Sequence, residues 1–487
     1  MRKLIGLAAL ALLLGGAGTG VAYKQRRVLR ELWRKPSDAG QVAQAVAATD
    51  WSASRGADRR PDVVVVVLDT VRADRLELHG HARSTMPRLA AWAQGARVHD
   101  DARANASWTL PSHASLFTGA DPLAHGAHRG APEQVGEVLA LPDEAVTLAE
   151  HLGEAGYRTA AVVGNTVYGG PRFGVAQGFE IYLGPDLRML GRSAYYPTAD
   201  RITDVALGLL DARGDDPVFL FLNYMDAHQP IVLRPEHLDG PVDPELVPDR
   251  PRAMEAIRAG LRGEPMDAAV ADAWSRGYEG ELRFLDVHLS RLLDGLAARG
   301  IDGDDLVVVT SDHGEEFGEL GTFGHGLTLH DAVLRIPLLV RGPGVAPGRD
   351  PSPVQLHDIP RWVTDAAGLP PLPGQVGART LQVAEQYGQV PVYLPEDPAL
   401  RARLNVVERV FVHEDRMLLR REDGGRTAWD LAADPGQQAP LAEAPWAAEL
   451  EAAAEGWEAG SVRREGKRAE ALSVEEQELL KGLGYAE

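Results

Sequence analysis

Three apolar stretches of this chain are each followed closely by acidic residues. They are Val63–Leu68 before Asp69, 218–222 before Asp226 and His228, and 306–309 before Asp312 and His313. Continuous runs of β-branched and large apolar residues are typical of parallel strands that helices cover on both faces. Ligands of open α/β sheets bind beyond the carboxyl ends of such strands. We therefore expect these acids and imidazoles to converge in one crevice that can bind a metal ion.

A threonine in segment 107–119 could supply a nucleophile to that crevice. Pro111 suits the first turn of a helix and Gly119 suits its end, so Thr109 is expected at or beside the helix N-cap. Unpaired N–H groups and the partial positive charge at a helix N-terminus favour an anionic group such as phosphate or sulfate. A threonine hydroxyl needs a base or a metal ion to react. The alternative is that Thr109 only caps the helix, but the acids at the strand ends favour the nucleophile.

Several other polar residues have roles that the sequence leaves open. Asp226, His228 and His325 could bind a second metal ion, as in two-metal phosphatases. Alternatively, the two histidines could donate protons to the substrate, because imidazole titrates near neutral pH. His113 is a further candidate for a substrate or second-metal contact. Asn165 could face the same crevice or could simply form a turn.

Four segments together carry a family resemblance. They are residues 62–119, 310–319, 324–326 and 335–340. They resemble the sulfatase family of the alkaline phosphatase superfamily, and the likeness covers about residues 60 to 435. The resemblance implies a metal-dependent hydrolase or transferase that acts on sulfate, phosphate or phosphonate esters. It also implies an alkaline-phosphatase-like α/β fold, with a mostly parallel sheet sandwiched by helices and a small C-terminal α+β subdomain.

The resemblance also implies roles for individual residues. Asp69, Thr109, Asp312 and His313 match the metal and nucleophile positions, and His228 and His325 match positions that contact the ester. Calcium-type members carry paired acids after the first strand and an Asp-Asn pair later, whereas here Thr70 follows Asp69 and His313 replaces the asparagine. One imidazole among carboxylates favours Zn²⁺ or Mn²⁺ for the one divalent metal, with Ca²⁺ and a second metal as alternatives.

One motif departs from the sulfatase pattern. Sulfatases carry a cysteine or serine, oxidised to formylglycine, in a Cys/Ser-x-Pro-x-Arg motif, whereas residues 109–113 read Thr-Leu-Pro-Ser-His and the chain has no cysteine. Threonine cannot form that aldehyde. It resembles the nucleophile of the branch with phosphodiesterases and phosphoethanolamine or phosphoglycerol transferases, in which threonine forms a covalent phospho-enzyme. We therefore favour a phosphodiesterase or phospho-group transferase over an arylsulfatase.

Two other functions remain alternatives. One is a sulfuric ester hydrolase that works without formylglycine. The other is a catalytically silent, membrane-tethered protein that keeps the fold in order to bind a partner. Glu315 and Glu316 are given no catalytic role and are expected in the first turn of a helix. The remaining histidines singled out are expected at surface or packing positions, namely His79, His81, His125, His128, His330 and His357.

Composition and the N-terminal sequence indicate which partners and which location to expect. The 487 residues carry a net charge of −20, which disfavours nucleic acid as a partner. Binding of the expected anionic ester substrate must therefore depend on the local metal ion, histidines and helix N-terminus. The apolar run from Leu4 to Tyr23 predicts a membrane anchor, or alternatively a cleaved signal peptide. The resemblance implies a catalytic domain outside the cytoplasm, for example in the periplasm. Oligomeric state does not follow from the sequence.

The chain divides into five predicted segments. They are an anchor or signal segment at 1–23, a polar stalk at 24–60 with a short helix at 25–35, a catalytic α/β domain at 61–348, a C-terminal subdomain with a small antiparallel sheet at 349–437, and a helical tail at 438–487 with a last helix opening at Ser473.

Overall fold

An eight-stranded sheet forms the centre of the protein. Its strands are β1 (Val63–Leu68), β2 (Arg97–Arg103), β3 (Arg158–Val163), β4 (Ile181–Leu183), β5 (Val218–Tyr224), β6 (Leu306–Thr310), β7 (Leu338–Arg341) and β8 (Gly348–Gln355). The spatial order is β8-β2-β7-β6-β1-β5-β3-β4, and β7 runs antiparallel to both of its neighbours while the other pairs are parallel. The predicted mostly parallel sheet is therefore confirmed.

The structure is a computed structural model that describes residues 38–54, 56, 60–130, 137–165, 167–184, 197–388 and 398–469. The predicted anchor or signal segment at 1–23, the predicted helix at 25–35 and the predicted last helix from Ser473 lie outside these residues. Within them, every helix is too short or too polar to cross a membrane.

The described residues form twelve α-helices, several of which cover the two faces of the sheet. They are α1 (Asp38–Thr49), α2 (Pro87–Trp92), α3 (Thr109–Thr118), α4 (Pro122–His125), α5 (Leu148–Glu154), α6 (Ala199–Asp211), α7 (Arg250–Leu261), α8 (Ala268–Ala297), α9 (Asp331–Leu334), α10 (Ile359–Ala367), α11 (Pro398–Leu404) and α12 (Ala447–Gly460). In β1, the side chains of Val63, Val65 and Val67 join a core with α3, α5 and α10, whereas the alternate residues join a second core with α2, α6 and α8. Burial on both faces is why this strand is apolar throughout.

A second, antiparallel sheet follows the central sheet in the chain. Its strands, in order, are β9 (Gln382–Gln386), β10 (Glu408–His413), β11 (Arg416–Arg421) and β12 (Arg426–Asp430). Helix α12 packs on this sheet through Leu450 and Ala454. The small antiparallel sheet is as predicted, but the predicted boundary at residue 348 falls at the start of β8. The central sheet therefore continues to Gln355, and the second sheet begins only at Gln382.

The predicted stalk differs from the structure at its C-terminal end. Helix α1 contacts α6, and the side chain of Trp51 is fully buried in the core beneath the sheet. The indole Nε1 donates a hydrogen bond to the carbonyl of Leu209 at 2.9 Å, and the guanidinium of Arg158 lies 5.1 Å from the indole ring. Residues 38–54 are thus packed against the catalytic domain, because Trp51 finds an apolar site there that the local polar composition did not reveal.

Two short strand pairs complete the described structure. Glu316–Phe317 pairs with Phe323–Gly324, and Leu139–Ala140 pairs with Lys467–Arg468. The first pair corrects the expectation that Glu315 and Glu316 open a helix. The second pair shows that the tail predicted as helical contains a strand after α12.

Candidate active site

Two carboxylates and an imidazole meet beyond the adjacent parallel strands β1 and β6. Asp69 follows β1, whereas Asp312 and His313 follow β6, and all three side chains are fully buried. The Nε2 atom of His313 lies 3.4 Å from Oδ2 of Asp312 and 3.9 Å from Oδ1 of Asp69. Among the residues that the structure describes, these three form the one group of acids and histidines whose ligand atoms all lie within 4.8 Å of one another.

Thr109 is the first residue of α3 and lies beside this group. Its Oγ1 atom lies 3.5 Å from Nε2 of His313, and its side chain is 1% exposed. The N-cap position is taken by Trp108, and no side chain caps this helix. The Thr109 hydroxyl therefore faces the buried acids and does not cap the helix.

Asn165, which follows β3, connects the threonine to the acids. Its Nδ2 atom lies 3.1 Å from Oγ1 of Thr109 and 3.1 Å from Oδ2 of Asp69. Its Oδ1 atom accepts hydrogen bonds from the backbone of Val167 and Tyr168, at 3.1 and 2.9 Å, so the amide must point its nitrogen toward Thr109. Asn165 therefore belongs to the site as well as to a turn. Its position directly beyond a buried parallel strand was the signal for this role.

The donor set fits a divalent metal ion. Oδ1 of Asp69 and Oδ2 of Asp312 are buried and have no hydrogen-bond partner. Burial raises the pKa of Asp69 to about 8, with the nearby Asp312 carboxylate adding to the effect, and burial raises the pKa of Asp312 to about 7. His313 donates from Nδ1 to the carbonyl of Gly314 at 3.0 Å, which leaves Nε2 with its lone pair directed at the acids. A cation between these atoms would satisfy the orphaned oxygens and offset the cost of ionising them.

The backbone of Thr70 contacts Asp312. Its φ of 60° lies in the left-handed region, which a β-branched residue adopts only under constraint. Its N–H lies 3.3 Å from Oδ1 of Asp312, and its carbonyl accepts a hydrogen bond from the hydroxyl of Tyr278 at 3.0 Å. This turn holds the end of β1 against Asp312.

His228 and His325 pack next to the metal-binding group. The His325 ring centroid lies 4.5 Å from that of His313 and 4.8 Å from that of His228. Nδ1 of His325 lies 3.0 Å from Oε1 of Glu315, and Nδ1 of His228 donates to the carbonyl of Gln229. Glu315 is fully buried, and burial raises its pKa to about 8. Sequence reasoning missed this carboxylate, because its histidine partner comes from another loop.

Asp226 lies outside the group of proposed metal-ligand atoms. Oδ1 of Asp226 lies 3.4 Å from Nη2 of Arg234, whose Nε donates to Glu281 at 2.9 Å. The structure therefore does not gather Asp226, His228 and His325 into a second metal cluster within the described residues. An ion pair with Arg234 accounts for the burial of this acid.

His113 comes close to the metal-binding group. Its Nε2 atom lies 3.6 Å from Oδ2 of Asp312, and burial lowers the pKa of His113 to about 3. The six histidines expected at surface or packing positions lie outside the group of metal-ligand atoms. Three of them are nonetheless deeply buried, namely His125, His128 and His357.

The fold and the buried acid cluster define the class of protein. A mostly parallel sheet sandwiched by helices, with a small C-terminal antiparallel sheet, is the alkaline-phosphatase-like fold. The family model described as Sulfatase matches residues 61–369. The chain therefore belongs to the sulfatase family.

Individual proteins support the same family. The chain is 32% identical over 94 residues to the choline-sulfatase of Rhizobium meliloti, which is 19% of this chain and 18% of that protein. It is 25% identical over 313 residues to the ulvan-active sulfatase of Formosa agariphila, which is 59% of this chain and 57% of that protein. These alignments span less than two thirds of either relative. The solved phosphonate monoester hydrolase of Agrobacterium radiobacter shares the fold, with a TM-score of 0.62, 21% identity, and coverage of 82% of this chain and 95% of that chain.

Proposed function

We propose that this protein cleaves phosphate or phosphonate esters through a covalent intermediate on Thr109, as a phosphodiesterase or a phospho-group transferase. The observation that carries the proposal is the position of the Thr109 hydroxyl, 3.5 Å from His313 and within hydrogen-bonding distance of Asn165. A hydroxyl buried at a helix N-terminus beside orphaned carboxylates is suited to attack an anionic ester. Because threonine cannot become an aldehyde, phosphorus is favoured over sulfur as the centre attacked.

Asp69, Asp312 and His313 would hold one divalent metal ion, with Zn²⁺ or Mn²⁺ favoured by the mixed nitrogen and oxygen donors. When bound, such an ion supplies positive charge that polarises the ester and stabilises the charge that develops during displacement.

The side chains perform the remaining steps. Asn165 orients the Thr109 hydroxyl. Its oxygen forms a bond to phosphorus and gives up its proton to water, while the bond from phosphorus to the departing alcohol breaks. The leaving oxygen keeps the bonding electron pair and takes a proton from His228 or His325. Water or a second alcohol then attacks phosphorus and gives its proton to the same histidine, while the bond from phosphorus to the threonine oxygen breaks and that oxygen takes up a proton from water. In both histidines Nδ1 is held by an acceptor, so Nε2 is the nitrogen that would serve the substrate.

Sulfate ester hydrolysis is the second candidate. It is favoured by the relatives named choline-sulfatase and ulvan-active sulfatase, to which the chain is similar over part of its length. In this candidate the same threonine would act without formylglycine.

The apolar run at residues 4–23 supports the further proposal that the protein is anchored to a membrane or exported. Fractionation of cells that express the full chain tests this. Recovery of all of the protein with the cytoplasmic fraction would contradict it.

A substrate panel tests the proposed function. Purified protein is loaded with Zn²⁺, Mn²⁺ or Ca²⁺. It is then offered four p-nitrophenyl substrates, namely a sulfate ester, a phosphate monoester, a phosphodiester and a phenylphosphonate ester. We expect the highest kcat/KM with the phosphodiester or phosphonate and no turnover by the Thr109→Ala variant. Turnover of the sulfate alone would favour the second candidate. Failure to turn over any ester would favour a silent binding protein of the same fold.

A further inference from the structure

His113 stands one helical turn after Thr109 on α3, where residues four apart lie on the same face. Its side chain is 1% exposed. The imidazole ring packs edge-on against Phe221, with centroids 5.5 Å apart, and against Phe117 at 6.2 Å. These aromatic contacts fix the ring and direct it toward the same crevice as the Thr109 hydroxyl.

The ring nitrogen that faces the crevice lacks a partner. Nε2 of His113 is buried and accepts or donates no hydrogen bond, and the nearest carboxylate oxygen, Oδ2 of Asp312, is equally without one. The two atoms are 3.6 Å apart, which is longer than a hydrogen bond. A buried polar atom that is left unsatisfied calls for an explanation such as a missing ion.

The spacing of the two imidazole nitrogens around Oδ2 of Asp312 matches that of ligands that share one ion. Zinc lies about 2.0–2.2 Å from nitrogen and oxygen ligands, so two ligands at a tetrahedral angle are about 3.3–3.6 Å apart. Oδ2 of Asp312 lies 3.6 Å from Nε2 of His113 and 3.4 Å from Nε2 of His313. The 3.9 Å between His313 and Oδ1 of Asp69 is longer by a few tenths of an ångström. His113 itself lies outside the group of three residues whose ligand atoms are all within 4.8 Å of one another, so its ring must move toward Asp69 and His313 for the four residues to share one ion.

We propose that His113 is a further ligand of the metal ion held by Asp69, Asp312 and His313. This inference rests on the proposed function, because it concerns the same metal site. Two imidazoles and two carboxylates form a set that suits Zn²⁺, whereas Ca²⁺ prefers six to eight oxygen ligands. The histidine at position 113 would thus replace the arginine of the sulfatase motif with a group that selects the metal.

Metal binding by the variant His113→Gln tests the inference. The metal-free proteins are titrated with Zn²⁺ against a chromophoric chelator and with Ca²⁺ by calorimetry, after circular dichroism has established that each variant is folded. We expect the Zn²⁺ affinity of the variant to fall at least tenfold, with little change in the affinity for Ca²⁺. His151→Gln is the matched control, because His151 contacts the carbonyl of Pro370 outside the site, and it should bind Zn²⁺ like the wild type.

The wild-type protein provides a second measurement that does not depend on a variant. X-ray absorption of the Zn²⁺-loaded protein should show two imidazole ligands, and a single imidazole would overturn the inference. An unchanged Zn²⁺ affinity in His113→Gln would overturn it as well, while leaving the proposed function intact. If the wild-type protein binds no Zn²⁺, Mn²⁺ or Ca²⁺, the proposed metal site fails together with the inference.

Discussion

The side-chain amide of Asn165 lies 3.1 Å from the hydroxyl oxygen of Thr109 and is held there by its own turn. The same nitrogen lies 3.1 Å from Asp69. One residue just after β3 thus sets the position of the proposed nucleophile relative to the end of β1. This relationship gives the threonine a fixed orientation before any substrate binds, which is the condition for efficient displacement.

Asn165→Asp should lower kcat/KM at least about 100-fold, the size of effect that loss of one preorganised donor produces. The variant keeps Oδ1, which accepts the backbone N–H groups of the turn, but it replaces the donor that faces Thr109 with a carboxylate oxygen. Steady-state kinetics and thermal unfolding of the folded variant check this. Activity within a few fold of wild type would contradict the role of the amide.

The stability of the metal-free protein should decrease from about pH 6.5 to pH 8. The folded-state pKa of Asp69 is raised to about 8 and that of Asp312 to about 7, from 3.8, so the folded state holds more protons than the unfolded state in this window. Each carboxyl contributes a slope of at most about 1.4 kcal/mol per pH unit. Urea unfolding with a chelator present measures the effect, and Asp312→Asn should have a shallower slope. Equal or greater stability of the wild type at pH 8 would contradict the shifts.

Glu315→Ala should impair the release of poor leaving groups more than that of good ones. Glu315 holds Nδ1 of His325 at 3.0 Å, and an oriented acid matters most when the departing alcohol is basic. We expect the ratio of alkyl to p-nitrophenyl ester turnover to fall at least about tenfold. Glu315→Gln can still accept a hydrogen bond from Nδ1 of His325, so its turnover ratio should lie between those of the wild type and Glu315→Ala.

The neighbouring residue provides the control for this measurement. Glu316 contacts His330 and Thr322, so Glu316→Gln should leave the turnover ratio unchanged even if it lowers stability. A uniform loss of activity toward both esters in Glu315→Ala would indicate a structural role for Glu315.

Trp51→Ala should destabilise the protein by about 3–5 kcal/mol, the usual cost of removing a large buried side chain. The indole is fully buried and donates to the carbonyl of Leu209. Trp51→Phe should cost less, because it keeps most of the apolar contact and loses the hydrogen bond. Unfolding midpoints in urea compare the variants. An unchanged midpoint for Trp51→Ala would show that residues 38–54 do not pack on the domain in solution.

The residues at the ends of buried strands could be predicted from the sequence. The apolar runs before Asp69 and Asp312 predicted parallel strands, and the carboxyl ends of adjacent parallel strands meet by geometry alone. The small antiparallel sheet could be predicted for a different reason, because Asp423 and Gly424 form a turn signal between two short strand-like segments. The roles of these residues in catalysis and metal binding stay predictions.

The contacts between distant loops could not be predicted from the sequence. Glu315 lies between polar residues, and its burial depends on a histidine ten positions later in the chain. The antiparallel direction of β7 depends on the path of the connecting segment, and the burial of Trp51 depends on contacts with Arg158 of β3 and Leu209 of α6. None of these has a local signal, because each depends on residues far apart in sequence.

The most direct test of the central claim is the chemical identity of the covalent intermediate. The enzyme is quenched with acid during turnover of a phosphorus-labelled ester, digested, and examined by mass spectrometry. We predict one phosphoryl group on the peptide that contains Thr109, and no adduct or turnover in Thr109→Ala. A label on another residue, or wild-type turnover by the Thr109→Ala variant, would contradict the account.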